Sequence, residues 1–312
     1  MSFDVSVVIP VFNRSNLLKI AIESVLKQKT DYDVEIIVVD DYSTEDIEVI
    51  CRNYTCRYFL NTCKKGANYA RNLGVKNAKG RFITFLDSDD FFIANTVLQL
   101  QLDFMSRNPE IAMAYTDKCA VFNEESTVEL KKTHAGPVIQ IIPQPQKKLL
   151  RIDFIGSYSG VMVKKCAFES IGGCDVTLPA RQDWDLWLRM SGLGDVAHCK
   201  APLIGYRCHA NQISKSPENK IAGTLAVLDK HYELFSLSLI TSFWKQIHCI
   251  KIILAASLCL IDINKFEFSR SQLISQYQKK QKSIDTVIQN RITKKILKMC
   301  FNRSYFFSGV FS

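Results

Sequence analysis

Apolar positions in the first 115 residues switch repeatedly between a strand-like and a helix-like period. Val5 to Ile9 is a short apolar-rich run ending at Pro10. Leu17, Leu18, Ala21, Ile22, Val25 and Leu26 then recur at helical spacing behind Ser15, which stands in N-cap position. Val34 to Val39 is a near-continuous β-branched run suited to a strand buried on both faces, and it stops at Asp40-Asp41. A second helix is expected from about Thr44, a short strand at Arg57 to Leu60 and a helix at Ala67 to Ala78. A strand at Arg81 to Leu86 ends in Asp87-Ser88-Asp89-Asp90, followed by a helix near Thr96 to Ser106 and a strand at Ile111 to Tyr115.

This alternation predicts an α/β fold, a mostly parallel sheet with helices on both faces whose ligands sit beyond the carboxyl ends of the strands. Beyond Asn123 a polar stretch with Gly136-Pro137, Pro143 and Pro145 reads as a long loop between sheet halves. A strand at Ser159 to Val163, a short helix at Lys165 to Ile171, a tryptophan-bearing helix at Asp183 to Met190 and a strand at Leu203 to Arg207 follow. After about Ser216 the pattern is helical. Ile247 to Ile263 is apolar, but His248, Lys251 and Asp262 interrupt it and it is short for a bilayer crossing, so an interfacial amphipathic helix is expected there.

Charge changes this picture only at the C-terminus. Of the net +9, most sits between Asn264 and Ser312, where ten lysines and arginines face only Glu267 and Asp285. Such a segment suits a polyanionic neighbour, and an acidic membrane surface is favoured over nucleic acid because no recognisable nucleic-acid-binding module accompanies the charge. The eleven cysteines are odd in number and scattered, and Cys51, Cys56 and Cys63 lack a zinc-ligand pattern, so reduced thiols are expected. Met1 leads straight into a strand without a signal-peptide pattern, which predicts a chain that is not secreted.

Asp87-Ser88-Asp89-Asp90 is the sharpest chemical signal. Three carboxylates in four residues after a buried strand repel one another, and a hard divalent ion sharing its shell with phosphate oxygens would relieve them; a solvated acidic turn before the next helix is the alternative. Asp40-Asp41 closes a neighbouring strand and reaches the same edge, either as a base or ribose contact or as a helix cap. Asn68, Arg71 and Asn72 share one helix face that suits a diphosphate or plain solvent. Asp183, beside Trp184 and Trp187, is a carboxylate whose proton affinity burial would raise, with core packing the alternative role for the tryptophans. His209 is a lesser candidate for a phosphate or metal contact.

Together these segments resemble the family 2 glycosyltransferases of GT-A fold. The resemblance rests on Val7-Val8-Ile9-Pro10-Val11-Phe12-Asn13-Arg14, Asp40-Asp41-Tyr42-Ser43-Thr44, Gly66 to Gly74, Asp87 to Asp90 and Gln182-Asp183-Trp184-Asp185-Leu186-Trp187, in the family's order. It implies a GT-A, Rossmann-like mixed sheet over residues 1–215, with a nucleotide-binding half at about 1–115 and an acceptor half at 116–215. Residues 216–312 would be a helical, basic, membrane-associating extension.

The same resemblance implies that Pro10, Phe12, Asp41, Arg71 and Asp87 bind the nucleotide sugar. Phe12 replaces the usual tyrosine and Tyr42 stands where glycine is usual. Asp89 and Asp87 would hold Mn2+ or Mg2+, and Asp183 would be the general base of an inverting transfer; a retaining transfer is the mechanistic rival. It further implies a UDP-sugar donor, glucose before galactose or another hexose, and a sugar on undecaprenyl diphosphate, such as N-acetylglucosamine, as acceptor. The setting would be surface polysaccharide (O-antigen) repeat-unit synthesis at the cytoplasmic face of the inner membrane. A nucleotide-sugar-binding module without turnover is the non-catalytic rival.

Overall fold

A computed structural model describes residues 3–122, 138–209 and 216–236. β1 (Phe3–Val11) lies between β2 (Val34–Asp40) and β4 (Gly80–Phe85), parallel to both, and β3 (Arg57–Leu60) extends the parallel set beyond β2. β8 (Val161–Lys164) then runs antiparallel to β4 and to β6 (Ile111–Val121), and β9 (Asp195–Arg207) runs parallel to β6. Two antiparallel steps cancel, so β6 and β9 point the same way as β4. The residues after Arg207 therefore leave the sheet at the edge where Asp41 and Asp87 to Asp90 lie. β5 (Phe91–Phe92) and β7 (Val138–Ile142) pair antiparallel with β9 and complete a nine-stranded mixed sheet.

Helices cover both faces. The pleat sends Val5, Val7, Ile9, Ile36 and Val38 to one side, where they join a core with α1 (Ser15–Leu26), α2 (Ile47–Asn53) and α4 (Val97–Arg107). Val8 and Val39 face the other side and meet α3 (Ala67–Asn77) so closely that a Cβ on Gly74 would lie 2.4 Å from Val8 Cγ1. The second half adds α5 (Pro145–Arg151), α6 (Lys165–Ser170), α7 (Gln182–Met190), α8 (Pro217–Lys230) and α9 (Tyr232–Ser236).

Several local expectations are corrected. Ser15 is not the cap of α1 but its first residue. The cap position is Arg14, left-handed at φ 65°, and the Glu45 carboxylate takes the amides of Arg14 (3.1 Å) and Ser15 (2.7 Å) from outside the helix. The second helix starts at Ile47 and not near Thr44; its cap is Asp46, accepting from Val49 N–H, which frees Asp40 and Asp41 from capping. The proline-bearing stretch is not all loop, since β7 and α5 lie in it with Pro145 in the first turn of α5, where a missing N–H costs nothing. β9 begins at Asp195, well before Leu203.

Residues 247–263 and the basic 264–312 segment lie outside the described residues. Among the described residues no helix is long and apolar enough to cross a membrane.

The β-branched run of β2 hides one carboxylate. Glu35 is buried and accepts from Ser6 Oγ (2.5 Å), Lys79 N–H (2.5 Å) and Arg57 Nη1 (2.5 Å), stitching β1, β2 and β3 to the turn before β4. Burial pushes this carboxyl up, but the three donors and the Arg57 charge outweigh it and hold it below its ordinary value of 4.5. A depressed folded value stabilises the protein above the unfolded value and is lost as pH falls through the folded one. Glu35→Gln is therefore expected to cost about 2 kcal/mol at pH 7 in urea unfolding, with the gap to the parent narrowing below pH 4.5.

Candidate active site

The carboxyl edge of the sheet collects the acidic groups, and each is held differently. Asp40 is turned inward, accepting from Ser43 N–H (2.8 Å) and Tyr58 Oη (2.9 Å). Asp41 accepts from Asn61 Nδ2, Lys65 N–H and Gly66 N–H, each at 2.8 Å, so it shapes the turn into α3 and keeps one acceptor position of its four. Asn61 Oδ1 beside it is buried without a partner among the described residues. Tyr42, in the family's glycine position, adopts φ 71°, so the left-handed turn is kept at the cost of a side-chain clash that glycine avoids. Pro10 is buried one residue before the end of β1, and Phe12 presents a partly exposed ring with the Lys64 ammonium 3.6 Å from its centroid.

The Asp87 to Asp90 cluster resolves into three roles. Asp90 is buried, accepting from Ser159 Oγ (2.6 Å) and Arg207 N–H (3.0 Å); burial, and then the charges of Asp89 and Asp87, push it well above the usual carboxylate range. Asp87 is partly exposed and pairs through Oδ1 with Arg71 Nη2 at 2.5 Å. Asp89 Oδ2 is shared by Arg14 Nη1 and His209 Nε2, the latter at 2.9 Å, so the lesser candidate His209 meets the acidic loop directly.

Arg14 is aimed there by a left-handed pair, Asn13 (φ 57°) and Arg14. The pair is bolted to the Asp41 loop by Asn13 N–H to Ser43 Oγ (2.7 Å) and Thr44 N–H to Asn13 Oδ1 (2.9 Å). Arg71 is buried, stacked 3.6 Å over the Tyr158 ring, and its Nε has no partner among the described residues. Asn68 and Asn72 do not share its outlook: they hold the carbonyls of Asp175 (2.7 Å) and Cys174 (2.8 Å) and so pin the loop before α7.

In the second half of the fold, α7 begins at Gln182 with Arg181, left-handed at φ 59°, in the cap position, so Asp183 is inside the first turn and is not the cap. Its Oδ1 accepts from Trp184 N–H (2.8 Å). Burial raises this carboxyl to about 7, helped by the nearby Asp153 charge and opposed by Arg181 and Arg71. Both tryptophans are core residues with satisfied indoles: Trp184 Nε1 donates to Leu149 O and Trp187 Nε1 to Gly156 O, each at 2.8 Å.

Asp153 and Lys118 carry no motif signal and were missed. Lys118 Nζ donates to Ile155 O (2.8 Å) and Ser157 O (3.1 Å), and it feels the charges of Asp153, Asp90, Asp183 and Asp87. One ammonium thus links the two sides of the cleft electrostatically.

Could these residues hold a divalent ion? Among the described residues no three His, Cys, Asp or Glu side chains form a complete metal cage. Asp87 Oδ2 and Asp89 Oδ1 nevertheless remain without partners there, and His209 adds an imidazole, a donor set of hard oxygen plus nitrogen. That set fits Mg2+ or Mn2+ completing its shell on phosphate oxygens.

The model for glycosyl transferase family 2 matches residues 6–167, more than half of the chain, and the chain belongs to that family. A Haemophilus influenzae protein described as an uncharacterized glycosyltransferase is 31% identical over 188 residues, 59% of this chain and 61% of its own length. A Campylobacter jejuni GalNAc(5)-diNAcBac-PP-undecaprenol beta-1,3-glucosyltransferase is 34% identical over 167 residues, 51% of each chain. A Rickettsia bellii uncharacterized glycosyltransferase is 47% identical over 107 residues, 33% of this chain but only 15% of its own length, so the chain spans a small part of that relative.

Among solved structures, Staphylococcus aureus TarS residues 1–349 in complex with UDP-GlcNAc superposes with TM-score 0.60 at 15% identity, covering 86% of this chain and 74% of that one. The Pyrobaculum calidifontis mannosyltransferase PcManGT in complex with GDP-Man and Mn2+ gives 0.59 at 14%, covering 96% and 84%. The fold is GT-A.

Two aspartates of one motif separate cleanly. Asp185, two residues past Asp183, is fully buried and takes Arg189 Nη2 (2.6 Å), His231 Nε2 (2.8 Å) and Lys230 Nζ (2.8 Å), tying α7 to α8 and to the His231 that follows it. Asp185→Asn is expected to lower stability by about 2–3 kcal/mol, read as the urea midpoint. Asp183→Asn, which keeps the one hydrogen bond from Trp184, should leave that midpoint in place.

Proposed function

We propose that the chain is an inverting hexosyltransferase that moves a sugar, glucose foremost, from UDP to a hydroxyl of a sugar carried on a lipid diphosphate. The observation that carries this reading is Asp183, a carboxylate of raised proton affinity whose charge acts on the same Lys118 ammonium as that of Asp87. Support for the donor class comes from TarS, crystallised with UDP and with UDP-GlcNAc, and support for glucose and a lipid-linked acceptor from the printed activity of the Campylobacter relative. N-acetylglucosamine on undecaprenyl diphosphate is the proposed acceptor, and galactose or another hexose the alternative donor.

In this reading Pro10, Phe12 and Asp41 hold the base, with Phe12 offering its ring face once Lys64 moves aside. Arg71 and Asp87 set the position of the diphosphate and ribose. Asp87 and Asp89, with His209, would hold Mn2+ or Mg2+, whose charge would stabilise the leaving diphosphate. For an ion to reach Asp89, the Arg14 guanidinium has to leave Oδ2 or share it.

Asp183 takes the proton of the acceptor hydroxyl as that oxygen bonds to the anomeric carbon, and the bond from that carbon to the diphosphate oxygen breaks on the opposite face. An α-linked nucleotide sugar gives a β-glycoside. Peripheral attachment to an anionic membrane through the basic residues 264–312 belongs to the same proposal.

The test is release of UDP from a panel of UDP-sugars with a synthetic N-acetylglucosamine diphosphate-lipid, with manganese or with chelator. Acceptor-dependent release with one sugar, absent in chelator, is the expected result; a product of retained configuration by NMR would overturn the mechanism. Asp183→Asn should lower kcat by ~10²–10⁴-fold while UDP affinity holds. Asp89→Ala should weaken both. Because Asp183 must be ionised to accept a proton, activity should rise with pH through about 7.

A further inference from the structure

The loop between α5 and β8 is fixed to the catalytic helix at one defined point. Trp187 stands four residues after Asp183, one turn further along the same face of α7, and its indole N–H is bonded to Gly156 O at 2.8 Å. The same loop is closed on itself by Asp153, whose Oδ1 accepts from Ile155 N–H (3.2 Å) and Gly156 N–H (2.9 Å). From the sheet side, Lys118 of β6 clamps it through the carbonyls of Ile155 and Ser157. Three attachments therefore hold the Asp153 carboxylate and the Lys118 ammonium to a loop that is bonded to α7 one turn beyond Asp183, and each interacts electrostatically with Asp183. Two of the three Lys118 ammonium protons go to carbonyls, which leaves one uncommitted among the described residues.

Each group bonds the loop backbone, Asp153 taking two amides and Lys118 two carbonyls, but neutral side chains could make bonds of the same kind, so closing the loop does not require the charges. Burial pushes the Asp153 carboxyl up and the Lys118 ammonium down, and each is partly restored by the other.

We propose that Asp153 and Lys118 are positioning residues for the transfer, an opposed pair of fixed charges that one loop holds against Asp183. Asp153 makes the proton leaving the acceptor hydroxyl more welcome on Asp183, and Lys118 keeps Asp183 from holding that proton before substrate arrives. The other charged or titratable groups facing Asp183 are Arg71 from α3, Arg181 at the head of α7 and Tyr158 ahead of β8. The inference rests on Asp183 being the base, as argued above.

Its test does not need turnover. In protein labelled with 13Cγ-aspartate, the carboxyl resonance of Asp183, assigned by its loss in Asp183→Asn, is titrated in the parent and in two variants. Asp153→Asn, which keeps an oxygen for the Ile155 and Gly156 amides, should move the Asp183 midpoint down by about one pH unit. Lys118→Met should move it up, and Lys118→Arg, which keeps the charge if the methionine variant does not fold, should leave it near the parent. The acid limb of kcat/KM should follow the same two directions while UDP affinity is unchanged.

Coincident midpoints in parent and Asp153→Asn overturn the proposal, as does movement of both charge-removing variants in one direction. If the midpoints diverge as expected and no donor is turned over, the charge pair stands and the proposed reaction falls.

Discussion

Carboxylates crowded at one sheet edge repel, and the cleft exists because each is met by a cation or donor anchored on a different element. Arg71 rises from α3 to Asp87, Arg14 crosses from the loop after β1 to Asp89, and His209 arrives on the same oxygen from the end of β9. Ser159 and the Arg207 amide take Asp90, from the start of β8 and the end of β9. Remove the pairing and the strand ends lose their common reason to converge; keep it, and donors from both halves of the sheet are locked at one point. In the proposed reaction, the cations that hold these carboxylates in the free protein would give way to a metal ion and a diphosphate when substrate binds.

Sheet direction decides which residues can join this edge. β8 reverses the run of strands once and β6 reverses it again, so a chain that has left the parallel half returns with β9 pointing toward the acidic loop. His209, over a hundred residues from Asp89, becomes its neighbour through that arithmetic alone. The adjacent parallel strands β6 and β9 are joined by a long crossover that carries β7, α5, β8, α6 and α7.

Much of the first half was legible because periodicity and strand-end carboxylates are local signals. β1 to β4, α1 to α4 and the aspartate clusters follow from runs that any reader of the chain can mark. What was not legible depends on partners distant in sequence. The cap of α1 is supplied by Glu45, so Ser15 could not reveal that it is unused. Glu35 sits in a β-branched run whose pattern gives no hint that Ser6, Arg57 and the Lys79 amide await it. Asp153 and Lys118 lie in stretches without a motif, and only the closing of the 153–157 loop against Trp187 brings them to Asp183. The Asn68 and Asn72 face shows the opposite error: spacing placed them with Arg71 correctly, but the loop at Cys174 and Asp175 claims them first.

Asp183 and Asp185 make the division between structure and chemistry explicit within three residues. Both lie in the first turn of α7, where a helix N-terminus favours anions, so local electrostatics treats them alike. Their fates differ because of what lies opposite. Asp185 points to Arg189, Lys230 and His231, which overcome its burial and hold it well below the usual carboxylate range, a charge that never leaves. Asp183 is raised by burial and by the Asp153 charge and lowered by the Trp184 amide, Arg181 and Arg71, which leaves its proton balanced near neutrality. The first fixes α7 against α8 and so fixes the direction in which the second faces. Asp183 can be left with a single backbone partner because its neighbour on the same turn has three side-chain cations.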